Sequence, residues 1–299
     1  MSIPKLDKLV PTKGASYKIK NPYLATVTQH YELSKVDSAD QTFHITLDIK
    51  NSGITYLEGQ SIGVIPPGQR DDGRKLKARL YSISSARDGD NEGLLSLSLS
   101  VKRLVYQDSD QKDVFGTCSD FLCNSKKGDK IPIINATGRI MLLPASNQVD
   151  LILIGTGTGV APFRGFLQHI SQSPSKWLGK GFLYLGFKRQ KEALYCNSYN
   201  QELIDLCQKA GFNLNLALSR EEKNQSGSRL YVADKMLSDY EAIKSIIANK
   251  NFAVYVCGLK GMEESISDLF EKITTELGYD WPIFKKELRL AGRWNIEVY

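Results

Sequence analysis

One stretch limits the possible folds more than any other. Residues 149–154 (VDLILI) form a short apolar run, residues 155–162 (GTGTGVAP) a glycine-rich turn, and a helical pattern follows through Ile170. A buried strand that feeds a helix through a tight turn belongs to a βαβ unit, and such units build a parallel sheet covered on both faces. The alternation continues downstream, with strands at 181–187 (GFLYLGF), 212–218 (FNLNLAL) and 252–257 (FAVYVC) and helices near 198–210, 231–248 and 262–277. Before residue 146 the pattern differs. Residues 42–50 (TFHITLDIK) and 94–102 (LLSLSLSVK) alternate apolar and polar side chains with period two, as half-buried strands do. The clusters Asn51-Ser52-Gly53, Pro66-Pro67-Gly68, Asp71-Asp72-Gly73 and Asp88-Gly89-Asp90 supply turns between short strands. The expected architecture is an antiparallel β-barrel over 1–146 followed by a Rossmann-like α/β domain over 147–299. At about 100–200 residues per domain, 299 residues suit two domains.

Composition excludes several classes. An excess of 39 Lys+Arg over 33 Asp+Glu gives +6, too mild and too mixed for a dedicated nucleic-acid binder but suited to an acidic protein partner. No integral membrane segment is expected, because the longest apolar run, Val149 to Ile154, contains Asp150 and falls far short of a span. The opening MSIPKLDKLVPTKG lacks the apolar core of a secretory signal. Cys118, Cys123, Cys196, Cys207 and Cys257 contain no C-x-x-C pair and fit a reducing compartment. Cys118 and Cys123 have the spacing that begins a plant-type iron–sulfur pattern, but its next ligand would fall on Lys126. With only His30, His44 and His169 besides, no metal site is expected.

The glycine-rich turn lets a backbone approach a pyrophosphate at a helix N-terminus. It is no P-loop, and its third glycine is displaced from the G-x-G-x-x-G position. Sheets that bind NAD place a carboxylate after the second strand; here Gly186-Phe187-Lys188-Arg189 stands there. After the third strand come Ser219, Arg220, Lys223, Arg229 and Tyr231, a hydroxyl, guanidiniums and a ring suited to a 2′-phosphate and its adenine. For Lys223, beside Glu221 and Glu222, a solvated loop serves as well. In the first half, alternation puts Arg79 and Tyr81 of Arg79-Leu80-Tyr81-Ser82 on one face. Composition alone favours a cross-strand Arg/Tyr pair there over a flavin-nucleotide site.

Taken together, RLYS, GTCS, GTGTGVAPFRGFL, SREEKN, YVCGLKGMEE and AGRWNIEVY, in this order from about Tyr17 to Tyr299, resemble plant-type ferredoxin–NADP⁺ reductase. The resemblance implies FAD as cofactor and NADP(H) as cosubstrate. Arg79 would meet the FAD phosphates, Tyr81 one isoalloxazine face and Ser82 its N5 edge, with Leu80 between them also in the cofactor site. Ser100, Val101 and Lys102 would line the next flavin strand, with Lys102 also reaching the NADP pyrophosphate, and Tyr106 would stack on the FAD adenine. Gly116, Thr117, Cys118 and Ser119 would wrap the flavin pyrophosphate. Thr158, Ser219, Arg220, Arg229 and Tyr231 would hold NADP. Cys257, followed by Gly258 and Leu259, would lie beside the nicotinamide, with Glu297 near the flavin and Tyr299 over its other face. Ser82, Cys257, Glu297 and Tyr299 are thus the implied catalytic group.

By the same resemblance, hydride passes between nicotinamide C4 and flavin N5 and single electrons pass to ferredoxin or flavodoxin. Arg74, Lys75, Lys77 and Arg139 would form a basic rim for that acidic carrier; an ordinary basic loop is the alternative. The sequence departs from the family pattern at Ala78, Ser100, Ile140 and Ala233, which puts the partner in more doubt than the chemistry. A diaphorase-type reductase serving a cytochrome or oxygenase component is the alternative enzyme, and a non-catalytic flavoprotein the alternative of another class. A monomer in a bacterial cytoplasm is expected, with the plastid stroma as the other possible compartment.

Overall fold

The computed structural model describes residues 3–34, 41–69, 72–90 and 95–299. Asp71 of one turn cluster and Leu94 of the second alternating run lie outside them. The first half is an antiparallel six-stranded sheet of order β4-β3-β8-β1-β2-β5. Its strands are β1 (Tyr23–Glu32), β2 (Thr42–Asp48), β3 (Ser61–Val64), β4 (Arg79–Ser82), β5 (Ser96–Lys102) and β8 (Lys130–Thr137). A small ribbon of β6 (Val105–Gln107) and β7 (Asp113–Phe115) and a short helix α1 (Thr117–Cys123) intervene before β8. The sheet closes on itself where Ile83 bridges Leu99 and Ser84 N–H donates to the Ser98 carbonyl at 2.7 Å.

Alternation in β5 separates two environments. Leu97, Leu99 and Val101 enter the barrel core with Ile45, Leu47 and Ile62. Ser96, Ser98 and Ser100 point the other way, yet they too are buried, because the second half of the chain covers that face.

That second half is a five-stranded sheet of order β11-β10-β9-β12-β13, parallel at every pairing. Its strands are β9 (Asp150–Thr156), β10 (Gly181–Phe187), β11 (Phe212–Leu218), β12 (Phe252–Gly258) and β13 (Trp294–Val298). Successive residues of β9 feed opposite faces: Leu151 and Leu153 pack with α2 (Ala161–Gln172) and α3 (Glu202–Ala210). Ile152 and Ile154 pack with α4 (Val232–Met236), α5 (Tyr240–Asn249), α6 (Met262–Glu276) and α7 (Trp281–Leu290). The helix anticipated at 231–248 is broken by a 3₁₀ turn at Leu237–Asp239, and Tyr231 stands at its N-cap rather than inside it. Both α7 and β13 come from a segment with no element anticipated. Asp280 caps α7 by accepting from Ile283 N–H at 3.0 Å, and Pro282 suits its first turn.

The two halves meet along a polar seam. Arg164 of α2 is 3% exposed and donates to the Ser84 carbonyl (2.7 Å), to Asp90 (2.8 Å) and to both oxygens of Glu202 (2.5 and 3.1 Å). Asp90 also accepts from Ser98 (2.5 Å) and Gln168 (3.1 Å) and faces His44 at 3.0 Å. Burial alone would raise the Asp90 carboxyl; Arg164 and His44 outweigh it and hold the group well below the usual carboxylate range. Beside this cluster Gly165 packs so closely on the Ser85 carbonyl that a Cβ would come within 2.9 Å.

Residues 3–9 add a strap. Ile3 and Leu6 pack in the cores of the parallel sheet, and Lys8 donates to the Ile140 carbonyl and to Asn295 Oδ1, the latter at 2.7 Å.

Removing one member of a buried ion pair leaves the other charge desolvated, at about 3–5 kcal/mol. Asp90→Ala should therefore lower the unfolding free energy by about that amount in urea titrations; a loss under about 1 kcal/mol would contradict the seam's role.

Candidate active site

Beyond the closure at Ile83 and Leu99, β4 and β5 separate. Among the described residues β4 pairs only with β3, and β5 only with β2, so Arg79–Ser82 and Ser100–Lys102 present strand edges unpaired by any of them. Leu80 is 61% exposed on this edge, and Arg79 is exposed too, its Nη1 donating to the Lys77 carbonyl at 3.1 Å. Tyr81 is half-buried beside Cys118, and burial pushes its phenol up. Ser82 is half-buried, and its hydroxyl has no partner among the described residues. An exposed leucine, a ring, a guanidinium and an unpartnered hydroxyl in four residues make an edge that fits a planar, polar-rimmed ligand carrying phosphate.

The neighbouring expectations divide. Val101 has its side chain in the barrel core, so only its backbone can serve the edge. Ser100 turns its hydroxyl away, to Tyr195 of the second half at 2.7 Å. Lys102 is exposed and, with Leu104 and Tyr106, lines a cavity of about 260 Å³. At the other end of that ribbon Ser119 spends its hydroxyl inside the turn, accepting from Leu104 N–H (3.1 Å) and donating to the Gly116 carbonyl (3.0 Å). Gly116 is required there, because a Cβ would sit 2.8 Å from that hydroxyl. Cys118 is buried, and its thiol is pushed up by burial, whereas Thr117 is exposed.

The second half contributes a cluster at the C-terminal ends of its strands, where open α/β sheets bind ligands. The turn after β9, Gly157–Val160, packs beside β5. Gly159 lies under the end of β12, where a Cβ would meet the Cys257 carbonyl at 2.0 Å. Gly157 has φ of +55° with open space around it. So Gly159 is there for packing, and Gly157 leaves room for a ligand. Gly258 (φ +134°) turns the chain past Thr156, whose hydroxyl accepts from Leu259 N–H at 2.9 Å; the Leu259 side chain is exposed. Cys257 pairs in register with Glu297 of β13. Burial, reinforced by Glu297, pushes the Cys257 thiol up to about 12, so it is a neutral thiol and no nucleophile at pH 7. Glu297 is half-buried with no hydrogen-bond or ion-pair partner among the described residues, and burial raises its carboxyl. Tyr299 follows, 64% exposed, with its hydroxyl 2.5 Å from Thr158 Oγ1.

Beyond β10 and β11 lies the basic loop. Ser219 and Arg220 N–H groups donate to the Phe187 and Lys188 carbonyls at 3.0 and 2.8 Å, tying the ends of the two strands together. Lys223 bridges Arg229 as a small antiparallel pair. Both glutamates turn inward: Glu221 accepts from Gln190 N–H (2.9 Å), and Glu222 from Leu218 N–H (2.8 Å) and Lys235 (3.1 Å). Arg220, Arg229 and Tyr231 are left exposed, and the two arginines form no ion pair among the described residues.

Two family models match the chain: an FAD binding domain over residues 15–72 and an oxidoreductase NAD-binding domain over residues 153–268. A Spirulina ferredoxin–NADP reductase is 37% identical over 95% of this chain and 97% of its own length. The leaf isozyme 1 chloroplastic ferredoxin–NADP reductase of Arabidopsis thaliana is 37% identical over 95% and 79%. The chain belongs to the ferredoxin–NADP reductase family. The solved structure of the reductase from Plasmodium falciparum superposes with a TM-score of 0.74 at 26% identity, covering 95% of this chain and 98% of that one. A mutant of that reductase solved with 2'P-AMP gives 0.73 at 25%, with the same coverage. The family's antiparallel FAD-binding sheet and parallel NAD-binding sheet are the two sheets described above.

Of the four implied catalytic residues, Cys257, Glu297 and Tyr299 thus gather with Thr158, and Ser82 lies on the barrel edge across the seam. What sequence reasoning did not single out is the seam itself, Asp90 with His44, Arg164 and Tyr195. Arg164, a lone charge in the apolar run APFRGFL, was its one visible sign.

A carboxyl raised by burial favours the folded state while protonated, so its contribution is present below 4.5 and is lost as pH rises through the folded value. Glu297→Gln should therefore melt higher than wild type at pH 8, with the gap narrowing toward pH 5. A gap independent of pH in calorimetry would contradict this.

Proposed function

We propose that this chain uses FAD to exchange electrons between NADP(H) and ferredoxin, with the FAD-binding unit ending near residue 146 and the NADP-binding unit beginning at 147. The observation that carries the reading is the meeting of two incomplete surfaces: the unpaired β4 and β5 edges, and the Thr158–Cys257–Glu297–Tyr299 cluster beside them. FAD, when bound, supplies the conversion between the two-electron chemistry of nicotinamide and single-electron transfer to a protein carrier.

The chain's own residues bind, orient and exclude water. Arg79 and the Gly116–Ser119 turn take the flavin phosphates, with Tyr106 against the adenine. Tyr81 and Tyr299 would lie against the two faces of the ring, with Leu80 beside them on the same edge, and the backbone of Ser100, Val101 and Lys102 would line its rim. Ser82 Oγ and the Glu297 carboxyl, both without partners among the described residues, would hold hydrogen bonds and a proton at the reactive end. Cys257, Gly258 and Leu259 shape the nicotinamide pocket, which Tyr299 fills by its bond to Thr158 until coenzyme displaces it. Lys102 serves the pyrophosphate, and Ser219, Arg220, Arg229 and Tyr231 select NADP.

Exposed Arg74, Lys75, Lys77 and Arg139 favour an acidic carrier, so flavodoxin is proposed as a second partner. Ile140 is 52% exposed beside Arg139 and gives that rim an apolar spot. Among the described residues no helix is long and apolar enough to cross a membrane. Five free, buried cysteines support a reducing compartment; we propose a monomer in a bacterial cytoplasm, and the plastid stroma remains the alternative.

Three outcomes test the reading. NADPH-driven reduction of ferredoxin should slow steeply as salt rises; a cytochrome reduced faster than ferredoxin at every ionic strength would favour the diaphorase alternative instead. Arg220→Ala should weaken NADPH binding by about 10- to 150-fold, the equivalent of a charge-assisted bond of about 1.5–3 kcal/mol, and leave NADH untouched; equal losses for both coenzymes would contradict it. Tyr299→Ser should raise nicotinamide occupancy and lower the NADPH/NADH preference in coenzyme titrations, and unchanged affinities would refute displacement.

A further inference from the structure

Among the described residues three non-glycine positions have left-handed backbone: Gln111, Tyr195 and Lys250. Gln111 is exposed, and Lys250 ends a helix. Tyr195 alone is fully buried, at φ +61°. A bulky residue rarely adopts that conformation, and it persists only where surrounding contacts over-determine it.

The contacts that hold Tyr195 all cross the seam or support the crossing. The segment between β10 and α3 delivers the ring, and the Tyr195 carbonyl accepts from Leu203 N–H at 3.0 Å. Its ring lies 5.0 Å from the Arg164 guanidinium and meets His44 edge-on at 5.9 Å. Its hydroxyl is 2.7 Å from Ser100 Oγ and 2.8 Å from His44 Nδ1, both on barrel strands. Burial lowers the His44 pKa, so the ring is neutral, while Asp90 is ionised and 3.0 Å from His44 Nε2. Nε2 therefore carries the proton and donates to Asp90, and Nδ1 is left as an acceptor. The direction of the chain follows: Ser100 donates to Tyr195, Tyr195 donates to His44, and His44 donates to Asp90, which Arg164 holds.

Ser100 precedes Val101 and Lys102 on the open β5 edge. Tyr195 follows β10, the neighbour of β9 from which Thr158 springs. We propose that Tyr195 is a positioning residue, its hydroxyl setting the distance between the β5 edge and the nicotinamide cluster at the ends of β9 and β12. This inference rests on the functional reading above. Hydride transfer is sensitive to such a distance, since a misplacement of about 1 Å can cost about 100-fold in rate.

Tyr195→Phe keeps the ring and its packing and removes only the hydroxyl. In anaerobic stopped-flow mixing of the FAD-loaded protein with NADPH, the variant should keep its flavin content and an NADPH dissociation constant within about twofold of wild type. Its limiting rate of flavin bleaching should fall by about tenfold or more. Ser100→Ala breaks the same bond from the other side and should slow the same step. If the pair acts as a unit, the double variant should be no slower than the slower single one.

A limiting rate within twofold of wild type, or rate losses that multiply in the double variant, would overturn the proposal. Should Tyr195→Phe fail to fold, Ser100→Ala decides by the same rate. Wild type that NADPH does not bleach would overturn the functional reading and this inference with it; bleached wild type with an unaffected variant overturns the inference alone.

Discussion

A guanidinium removed from water is stable only where carboxylates and carbonyls replace its hydration, because desolvation costs several kcal/mol per ion even after relaxation. Arg164 meets that condition with partners from both halves of the chain: Ser84 and Asp90 from the barrel side, Glu202 from α3. Neither sheet can leave the other without stranding a charge. This couples the two folds into one reacting unit, and Gly165, one residue on, allows the backbones to touch.

The site is a consequence of that docking. The barrel closes at Leu99 and then opens, so two strand edges remain unpaired at the end nearest the parallel sheet. The parallel sheet brings Cys257 and Glu297 together by register and sets Thr158 beside Tyr299 through a tight turn. The apolar edge at Leu80 and Tyr81 belongs to the barrel half and the Glu297 carboxyl to the other, so only their docking brings the two together. The strap of residues 3–9 joins the end of the barrel region to β13, and so supports the strand that carries Glu297.

Much of the parallel domain was legible because its apolar runs are short, β-rich and separated by helical periods; 181–187 and 212–218 match the observed strands residue for residue. The pair α7 and β13 was not legible, since WNIEV carries no period that separates a strand from a loop. In the barrel the alternation of LSLSLSV was plain, but which face met water was not: serines at the outward positions, in place of lysine or glutamate, were the sign of a buried polar face. The exposed basic loop could be read locally, because Ser219, Arg220, Arg229 and Tyr231 lie within one turn region. The seam could not, because His44, Asp90, Arg164 and Tyr195 are far apart in the chain and only topology brings them together.

We propose that a flavin lies between the barrel edge and the Tyr299 cluster. Titration of the chain with FAD, followed by flavin fluorescence, tests it most directly. Saturation is expected at one FAD per chain, with strong quenching by Tyr81 and Tyr299. Absence of binding, or bound FAD that stays as fluorescent as the free cofactor, would contradict it.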